Sequence, residues 1–368
     1  MNRTLVDKRE LSSTEERELY KNVFVVAPGV WRLKDIFVNV FIIQNREGTD
    51  WVLVDAGLQS SVPKIRAMVE YLFGSTGSRP QAIVLTHGHF DHRGSLLELA
   101  DSWGTPIYCH HQERPYLTGR ASYPPPDPSV GGGLMALFSF AYPKSPINVE
   151  ERLVELPDDH SIPGLEDWQW IHTPGHTPGH ISLFREKDGV LIAGDAFVTT
   201  MQESAISVMI QKKIVWGPPR YFTPDWGAAA RSVRELAALE PNVIVTGHGQ
   251  AMYGDEARKG LHKLTRRFWQ LGIPAQGRYV KEAATFDEDG VPTHIPPERG
   301  IMLKRLAIAA ALLAIGILVY RERKRGSFFN RQASGFLGKS LISGSLATLG
   351  ATAPATPALP ALPIIPAL

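Results

Sequence analysis

The stretch Thr86-His87-Gly88-His89-Phe90-Asp91-His92 is the most informative part of this chain. It follows the apolar run Ala82–Leu85, which predicts a short buried strand, and it precedes the helical pattern Gly94–Ser102. Three imidazoles and one carboxylate therefore gather at a strand-to-helix turn, where Gly88 is expected to let the backbone bend. Without a metal, such a group of polar side chains at a buried sheet end would be costly. The stretch thus predicts a bound metal pair.

Further motifs place polar residues beside glycine, directly after apolar strand patterns. Strand ends of this kind lie on tight turns at a sheet edge, where their side chains can meet. These motifs are Val52–Gly57 with Asp55, Thr173–His180 with His176, Ala193–Ala196 with Asp195, and Thr246–Gly249 with His248.

In this order, the motifs resemble those of the metallo-β-lactamase superfamily over roughly residues 22–270. The resemblance implies an α/β fold, a four-layer αββα sandwich in which two mixed β-sheets are flanked by helices. It also implies two divalent metal ions, zinc in the first place, although nitrogen and oxygen ligands also suit iron or manganese. Carried over by motif, the first metal is held by His87, His89 and His176, the second by Asp91, His92 and His248, and Asp195 bridges the two.

The chemistry implied by the resemblance is hydrolysis by a hydroxide that bridges the two metals. Metal coordination can lower the pKa of a bound water to roughly 7, which supplies hydroxide at neutral pH. Asp91 is expected to act as the catalytic residue that orients this hydroxide and passes on its proton. Asp55 is expected to fix the histidine-bearing loop, and His180 to hydrogen-bond a turn.

The residue Asp195 favours a small-ester, thioester or lactone hydrolase over a true β-lactamase, because the latter usually lacks a bridging aspartate. Lactonases of this family commonly have a tyrosine three residues further on, where this chain has Val198. Candidates for the missing substrate-binding group are Tyr123, Lys213 and Tyr221. Two segments, residues 112–147 and 201–222, are expected to determine substrate specificity.

Two other functions stay open as alternatives to a hydrolase of small esters. The first is a persulfide dioxygenase-like oxidoreductase, which uses one iron held by two histidines and an aspartate. The second is a nucleic-acid phosphodiesterase, which the charge distribution disfavours. Residues 1–300 carry 31 basic and 36 acidic side chains and no basic stripe, whereas polyanions are bound by clustered Lys and Arg. We therefore expect a small-molecule substrate and no nucleic acid.

Composition divides the chain into four regions. Residues 1–20 form a polar lead-in without a secretory signal, and residues 21–300 form the hydrolase domain, with an insertion at 112–150 that covers the cleft. Residues 301–325 contain the uncharged run Leu306–Tyr320 between basic flanks, which predicts an apolar helix and a candidate membrane segment. Residues 326–368 form a low-complexity tail rich in Pro, Ala and Leu. The expected location is the cytoplasm or the cytoplasmic face of a membrane.

Within the domain, the hydrophobic patterns and capping residues predict individual strands and helices. They include one strand over Ile36–Ile43, a helix over Asp255–Gln270 and a helix start at Thr223-Pro224-Asp225, with Thr223 as its cap.

Overall fold

The first sheet has seven strands in chain order. The computed structural model describes residues 22–74 and 77–298. Strands β1 to β4 form an antiparallel meander, and β4 to β7 run parallel to one another. The strands are β1 (Val23–Ala27), β2 (Val30–Asp35), β3 (Val38–Gln44), β4 (Trp51–Val54), β5 (Ala82–Val84), β6 (Ile107–Cys109) and β7 (Leu153–Glu155).

The second sheet has six strands in the order β13-β12-β11-β10-β9-β8, and only β11 and β12 are parallel neighbours. Its strands are β8 (Ser161–Ile162), β9 (Leu165–His172), β10 (Ile181–Arg185), β11 (Val190–Ile192), β12 (Val243–Val245) and β13 (Met252–Tyr253). A separate small pair consists of β14 (Thr285–Phe286) and β15 (Pro292–His294).

Helices cover the outer faces of both large sheets. The helices are α1 (Val62–Phe73), α2 (Phe90–Arg93), α3 (Leu96–Trp103), α4 (Arg114–Leu117), α5 (Leu134–Leu137), α6 (Ala205–Met209), α7 (Trp226–Ala238), α8 (Gly254–Arg266) and α9 (Phe268–Leu271). The apolar faces of α1 and α3 pack on the first sheet, and those of α7 and α8 pack on the second. The inner faces of the two sheets form a third apolar core between them. This arrangement confirms the predicted αββα sandwich.

Three local predictions need correction. The predicted strand Ile36–Ile43 coincides with β3 from Val38 onward, but Ile36 and Phe37 form the two-residue turn that joins β2 to β3, and Ile36 has a positive φ of 55°. No glycine or asparagine marks this turn, so the pattern did not reveal it. Asp225, and not Thr223, caps α7, because its side chain accepts a hydrogen bond from Ala228 N at 2.9 Å. The predicted helix Asp255–Gln270 is interrupted at Arg267, between α8 and α9.

Two segments lie side by side over one end of the sandwich, and we call residues 128–149 and 204–222 together the cover. Their inner side chains form a small apolar cluster that includes Val130, Ala136, Tyr221 and Phe222. The insertion predicted at 112–150 therefore carries short helices and packs on a second segment rather than standing alone.

The predictions for residues 1–20, 301–325 and 326–368 lie outside the described residues. Within the described part, no helix combines the length and apolar character that crossing a bilayer requires.

Candidate metal centre

The candidate site lies at one edge of the sandwich, where several strands of both sheets end. Asp55 follows β4, and the loop Thr86–His92 follows the parallel neighbour β5. In the second sheet, His176 follows β9, Asp195 follows β11 and His248 follows β12. Because all of these strands run in the direction that brings their carboxyl ends to one edge, the loops of the two sheets meet there. The seven predicted ligands are all buried.

Among the described residues, ligand-type atoms form three groups of three; two of them share no residue, and the third, His87, His92 and Asp195, takes one histidine from each of those two. His87, His89 and His176 offer ring nitrogens that lie within 4.8 Å of one another, and so do the ligand atoms of Asp91, His92 and His248. These are the two sets that the resemblance implied.

Asp195 lies between these groups. Its Oδ2 atom is 3.1 Å from His248 Nε2, 3.7 Å from His92 Nε2 and 3.5 Å from His176 Nε2. A single carboxylate therefore faces histidines of both groups, as a bridging ligand must.

The polar atoms of the site fit divalent cations. His87 Nε2, His92 Nε2 and Asp195 Oδ1 are buried, and none of them has a hydrogen-bond partner among the described residues. Buried polar atoms without partners are rare and costly in folded proteins. A donor set of imidazole nitrogens and carboxylate oxygens suits zinc, iron or manganese. The residues present therefore fit a metal pair.

The charge states of the histidines in the first group favour metal binding as well. Burial and the neighbouring imidazoles His92, His89 and His176 hold the pKa of His87 well below its usual range. Burial likewise lowers the pKa of His176 to about 3. Both rings are therefore neutral near pH 7, which is the form that coordinates a metal. Burial alone raises the pKa of Asp195, but His248 and His92 outweigh it and hold this pKa well below the usual value.

Hydrogen bonds fix which ring nitrogen faces the centre. The ring of His92 donates from Nδ1 to Asp55 Oδ2 at 2.8 Å, and that of His248 donates from Nδ1 to the carbonyl of Phe37 at 2.7 Å. Both rings therefore turn Nε2 toward the centre, where it can coordinate a metal. Asp55 also accepts a hydrogen bond from Thr86 N at 2.8 Å, so it connects the end of β4 to the loop that carries the histidines. Its backbone has a positive φ of 62°.

His180 supports Asp195, and both of its ring nitrogens have partners other than the candidate ligand side chains. Its Nε2 accepts a hydrogen bond from the backbone N–H of Asp195 at 2.8 Å, and its Nδ1 lies 2.8 Å from Thr173 Oγ1. The ring therefore holds the loop that carries Asp195 in place.

Two glycines are required by close approach. Gly88 does not have a positive φ, so the expected backbone freedom is not its role. A Cβ at this position would lie 2.6 Å from the hydroxyl of Tyr123. A Cβ at Gly247 would lie 2.1 Å from Asp195 Oδ1, so any side chain there displaces this carboxylate.

Glu113 is the main supporting residue that the sequence analysis missed. Its fully buried carboxylate accepts hydrogen bonds from Gly88 N at 2.9 Å, Gly179 N at 3.0 Å and Thr177 Oγ1 at 2.7 Å, and from the hydroxyl of Tyr123. Gly88 lies between two candidate ligand histidines, His87 and His89, and Thr177 and Gly179 follow the third, His176. Glu113 therefore joins the two loops that supply the first ligand group.

Arg32 and Asn39 were also missed, and they hold the loop of His248. Arg32 Nη1 donates to the carbonyl of Gly249 at 2.6 Å, and Asn39 Nδ2 donates to that of Thr246 at 2.8 Å. Both residues are isolated polar positions on β2 and β3, and their alternation with apolar neighbours gave no sign of this role.

The three predicted substrate contacts differ in their surroundings. The Tyr123 hydroxyl is occupied by Glu113 and Gly88, while its ring lies 4.6 Å from that of His89. Lys213 is exposed on the cover. Tyr221 lies on the inner side of the cover, where its side chain is buried against Tyr142 and Phe222. Of the three, Tyr221 is therefore the one that is buried and is not hydrogen-bonded to Glu113.

Comparison with known proteins gives concordant matches. The family model described as "Metallo-beta-lactamase superfamily" matches residues 33–248. The probable metallo-hydrolase YflN of Bacillus subtilis (strain 168) is 46% identical over 245 residues, which cover 66% of this chain and 92% of YflN. The probable metallo-hydrolase YybB of the same organism is 27% identical over 216 residues, or 58% of this chain and 83% of YybB. The solved structure of TTHA1623 in a di-iron-bound form is 25% identical with a TM-score of 0.43, covering 64% of this chain and 98% of that one.

Proposed function

The chain belongs to the metallo-beta-lactamase superfamily, and from that premise we propose that it is a dinuclear metal-dependent hydrolase of a small ester, thioester or lactone. The observation that carries the proposal is the position of Asp195 Oδ2 between two groups of three ligand-type residues. The naming of YflN and YybB as probable metallo-hydrolases supports it further.

Each side chain of the centre then has a separate task. His87, His89 and His176 would hold one cation, Asp91, His92 and His248 the other, and Asp195 would lie between them. When bound, a pair of zinc, iron or manganese ions would supply hydroxide at neutral pH and polarise the substrate carbonyl.

Asp91 would take up the proton that is released during the attack. Its Oδ2 lies 3.6 Å from His248 Nε2, and burial raises the pKa of this carboxyl above its usual value. A raised pKa brings an acid closer to the range in which it can accept and return a proton. Asp91 is therefore the proposed catalytic residue.

Tyr221 would donate a hydrogen bond to the oxyanion that forms on the substrate. It would take over the role of the tyrosine that lactonases of this family commonly have at the position of Val198. Burial raises the pKa of the Tyr221 phenol, so it stays protonated and can donate. Removing one oxyanion donor typically lowers kcat by about 100- to 1000-fold, and we expect that loss for Tyr221→Phe. Tyr142→Phe is the matched control, because the Tyr142 hydroxyl donates to the carbonyl of Met135 at 2.9 Å.

The test of the proposed function is metal analysis of protein purified without added metal, followed by assays on thioesters, lactones, β-lactams and phosphodiesters. We expect two divalent ions per chain and hydrolysis of a carbonyl substrate. One iron per chain with oxygen uptake would replace the hydrolase by a persulfide dioxygenase-like enzyme. Turnover confined to phosphodiesters would replace it by a nuclease, against the acidic charge of the domain.

We also propose that residues 301–325 associate with a membrane and that the domain lies in the cytoplasm or on the cytoplasmic face. The uncharged run Leu306–Tyr320 and its basic flanks support this proposal. Deleting residues 301–368 should leave hydrolysis intact and move the protein from the membrane pellet to the supernatant. A full-length protein that stays in the supernatant without detergent would contradict it.

A further inference from the structure

The cover has an outer face that is apolar and open to solvent. Six large apolar side chains on it are between 43% and 75% exposed: Leu134, Phe138, Phe140, Ile206, Met209 and Ile210. The last three follow helical spacing from α6, so they share one side of that segment. Clusters of exposed apolar side chains usually mark binding surfaces.

The two segments of the cover form one continuous surface. The backbone N–H of Met135 donates to the carbonyl of Glu203 at 3.1 Å, so α5 begins beside the residue that precedes α6. A Cβ at Gly133 would lie 2.6 Å from the same carbonyl, which shows how closely the two backbones approach. The rings of Phe138 and Phe140 lie 6.4 Å apart on this surface.

The charge of the outer face is opposite to that of the domain. The two segments of the cover, residues 128–149 and 204–222, contain no Asp or Glu, although acidic side chains outnumber basic ones over residues 1–300. The same segments carry the exposed lysines Lys144, Lys212 and Lys213. The outer face therefore combines apolar and basic side chains without any acid.

The outer face does not belong to the metal centre. The inner side of the cover uses other residues, such as Tyr221, Phe222 and Tyr142, and these are the ones that pack toward α2. The exposed side chains point away from that cluster, so they are available to something outside the enzyme.

We propose that the outer face of the cover docks on a lipid bilayer that contains anionic phospholipid. Apolar side chains would enter the headgroup region while the lysines meet the negative surface, which is how interfacial segments bind membranes. A second copy of this chain fits less well, because a symmetric contact would bring lysines against lysines. The proposal rests on residues of the cover alone and makes no use of residues 301–325.

The experiment places an environment-sensitive dye on the outer face of the full-length chain. Met209→Cys provides the attachment site, and Val25→Cys on β1 is the matched control, since Val25 is an exposed apolar residue outside the cover. The native Cys109 is fully buried and does not compete for the label. The probes are vesicles of phosphatidylcholine alone and of phosphatidylcholine mixed with phosphatidylglycerol.

With anionic vesicles, the dye at position 209 should shift to the blue and become protected from an aqueous quencher, while the dye at position 25 should not change. Ile206→Asp should weaken partitioning into these vesicles roughly tenfold, because it removes one buried aliphatic side chain from the interface. Lys212→Glu should weaken it severalfold at low salt only, and Lys281→Glu, at an exposed site outside the cover, should not.

Three results would overturn the proposal. The first is a dye at position 209 that stays as accessible to the quencher as the dye at position 25 while the protein is bound to vesicles. The second is the absence of binding to anionic vesicles. The third is protection of position 209 without lipid that rises with protein concentration together with a dimer in sedimentation, since the occupant would then be a second copy.

Discussion

Replacing Glu113 should destabilise the folded protein and weaken metal binding by the first ligand group. The size of the effect follows from the number of buried donors that lose their hydrogen-bond acceptor. Two of its four donors are backbone N–H groups, of Gly88 and Gly179, which cannot turn elsewhere. The hydroxyls of Thr177 and Tyr123 can rotate. A buried N–H without a partner costs about 1–3 kcal/mol. Glu113→Gln, whose amide can serve only one of the two N–H groups, should therefore cost about 1–3 kcal/mol, and Glu113→Ala about twice that.

Two measurements check this prediction. Urea denaturation of the metal-free protein gives the free energy of unfolding, and chelator competition gives the affinity for the metals. We expect metal affinity to fall about 10- to 100-fold, as is typical when a residue that supports a ligand is lost. The matched control is Glu155→Gln, because Glu155 is an exposed acid that pairs with Arg114 on the surface. Such a pair contributes at most about 1 kcal/mol.

The graded order of the two variants is what makes the prediction specific. If Glu113→Ala and Glu113→Gln both unfold at the wild-type urea concentration and bind metals normally, the carboxylate does not join the two loops. If the two variants lower the free energy of unfolding equally, the effect does not depend on the number of backbone N–H groups left without an acceptor.

Other predictions concern the ligands, the pH dependence and the histidines outside the centre. Asp195→Ala should lose one of two metals and most activity, since two cations would then face each other without a shared anion; two metals per chain by elemental analysis would refute the bridge. His87→Ala should lose metal with little change in the circular dichroism spectrum, whereas His110→Ala should keep the metals, because His110 stacks on His172 away from the centre. Burial lowers the pKa of His110 to about 3 and also lowers that of His172. As the pH falls below the ordinary histidine pKa of 6.5, these two side chains therefore bind protons in the unfolded chain but not in the folded protein. The free energy of unfolding should therefore fall as pH drops from about 7 toward 3, and the urea midpoint of His110→Asn should depend less on pH than that of the wild type.

The layers of the sandwich and the candidate ligands could be predicted from the sequence because both depend on local patterns. Apolar runs such as Trp51–Val54 and Val243–Val245 coincide with β4 and β12. The histidines and aspartates stand next to glycine at the ends of such runs, so their spacing carried the prediction.

The supporting contacts could not be predicted in the same way because they join residues far apart in the chain. Glu113 bonds to Gly179 across 66 positions, and Arg32 bonds to Gly249 across 217 positions. One signal for Glu113 was available: it lies shortly after β6, which runs parallel to β5 and ends at the same sheet edge. The turn at Ile36 was missed because no glycine or asparagine marks it, and the cap at Asp225 because Thr223, two residues earlier, could also have capped the helix.

Each of the two ligand groups draws residues from loops of both sheets, and this has a consequence for how the protein matures in the cell. During synthesis, the emerging chain exposes His87, His89, Asp91 and His92 long before His176 and His248 have been made. Neither group can be completed until the second sheet has been translated and has docked on the first. Tight metal binding would then be the last step of maturation. The bound metals would connect the two sheets and so slow their separation, which unfolding by chaperones or degradation by proteases requires.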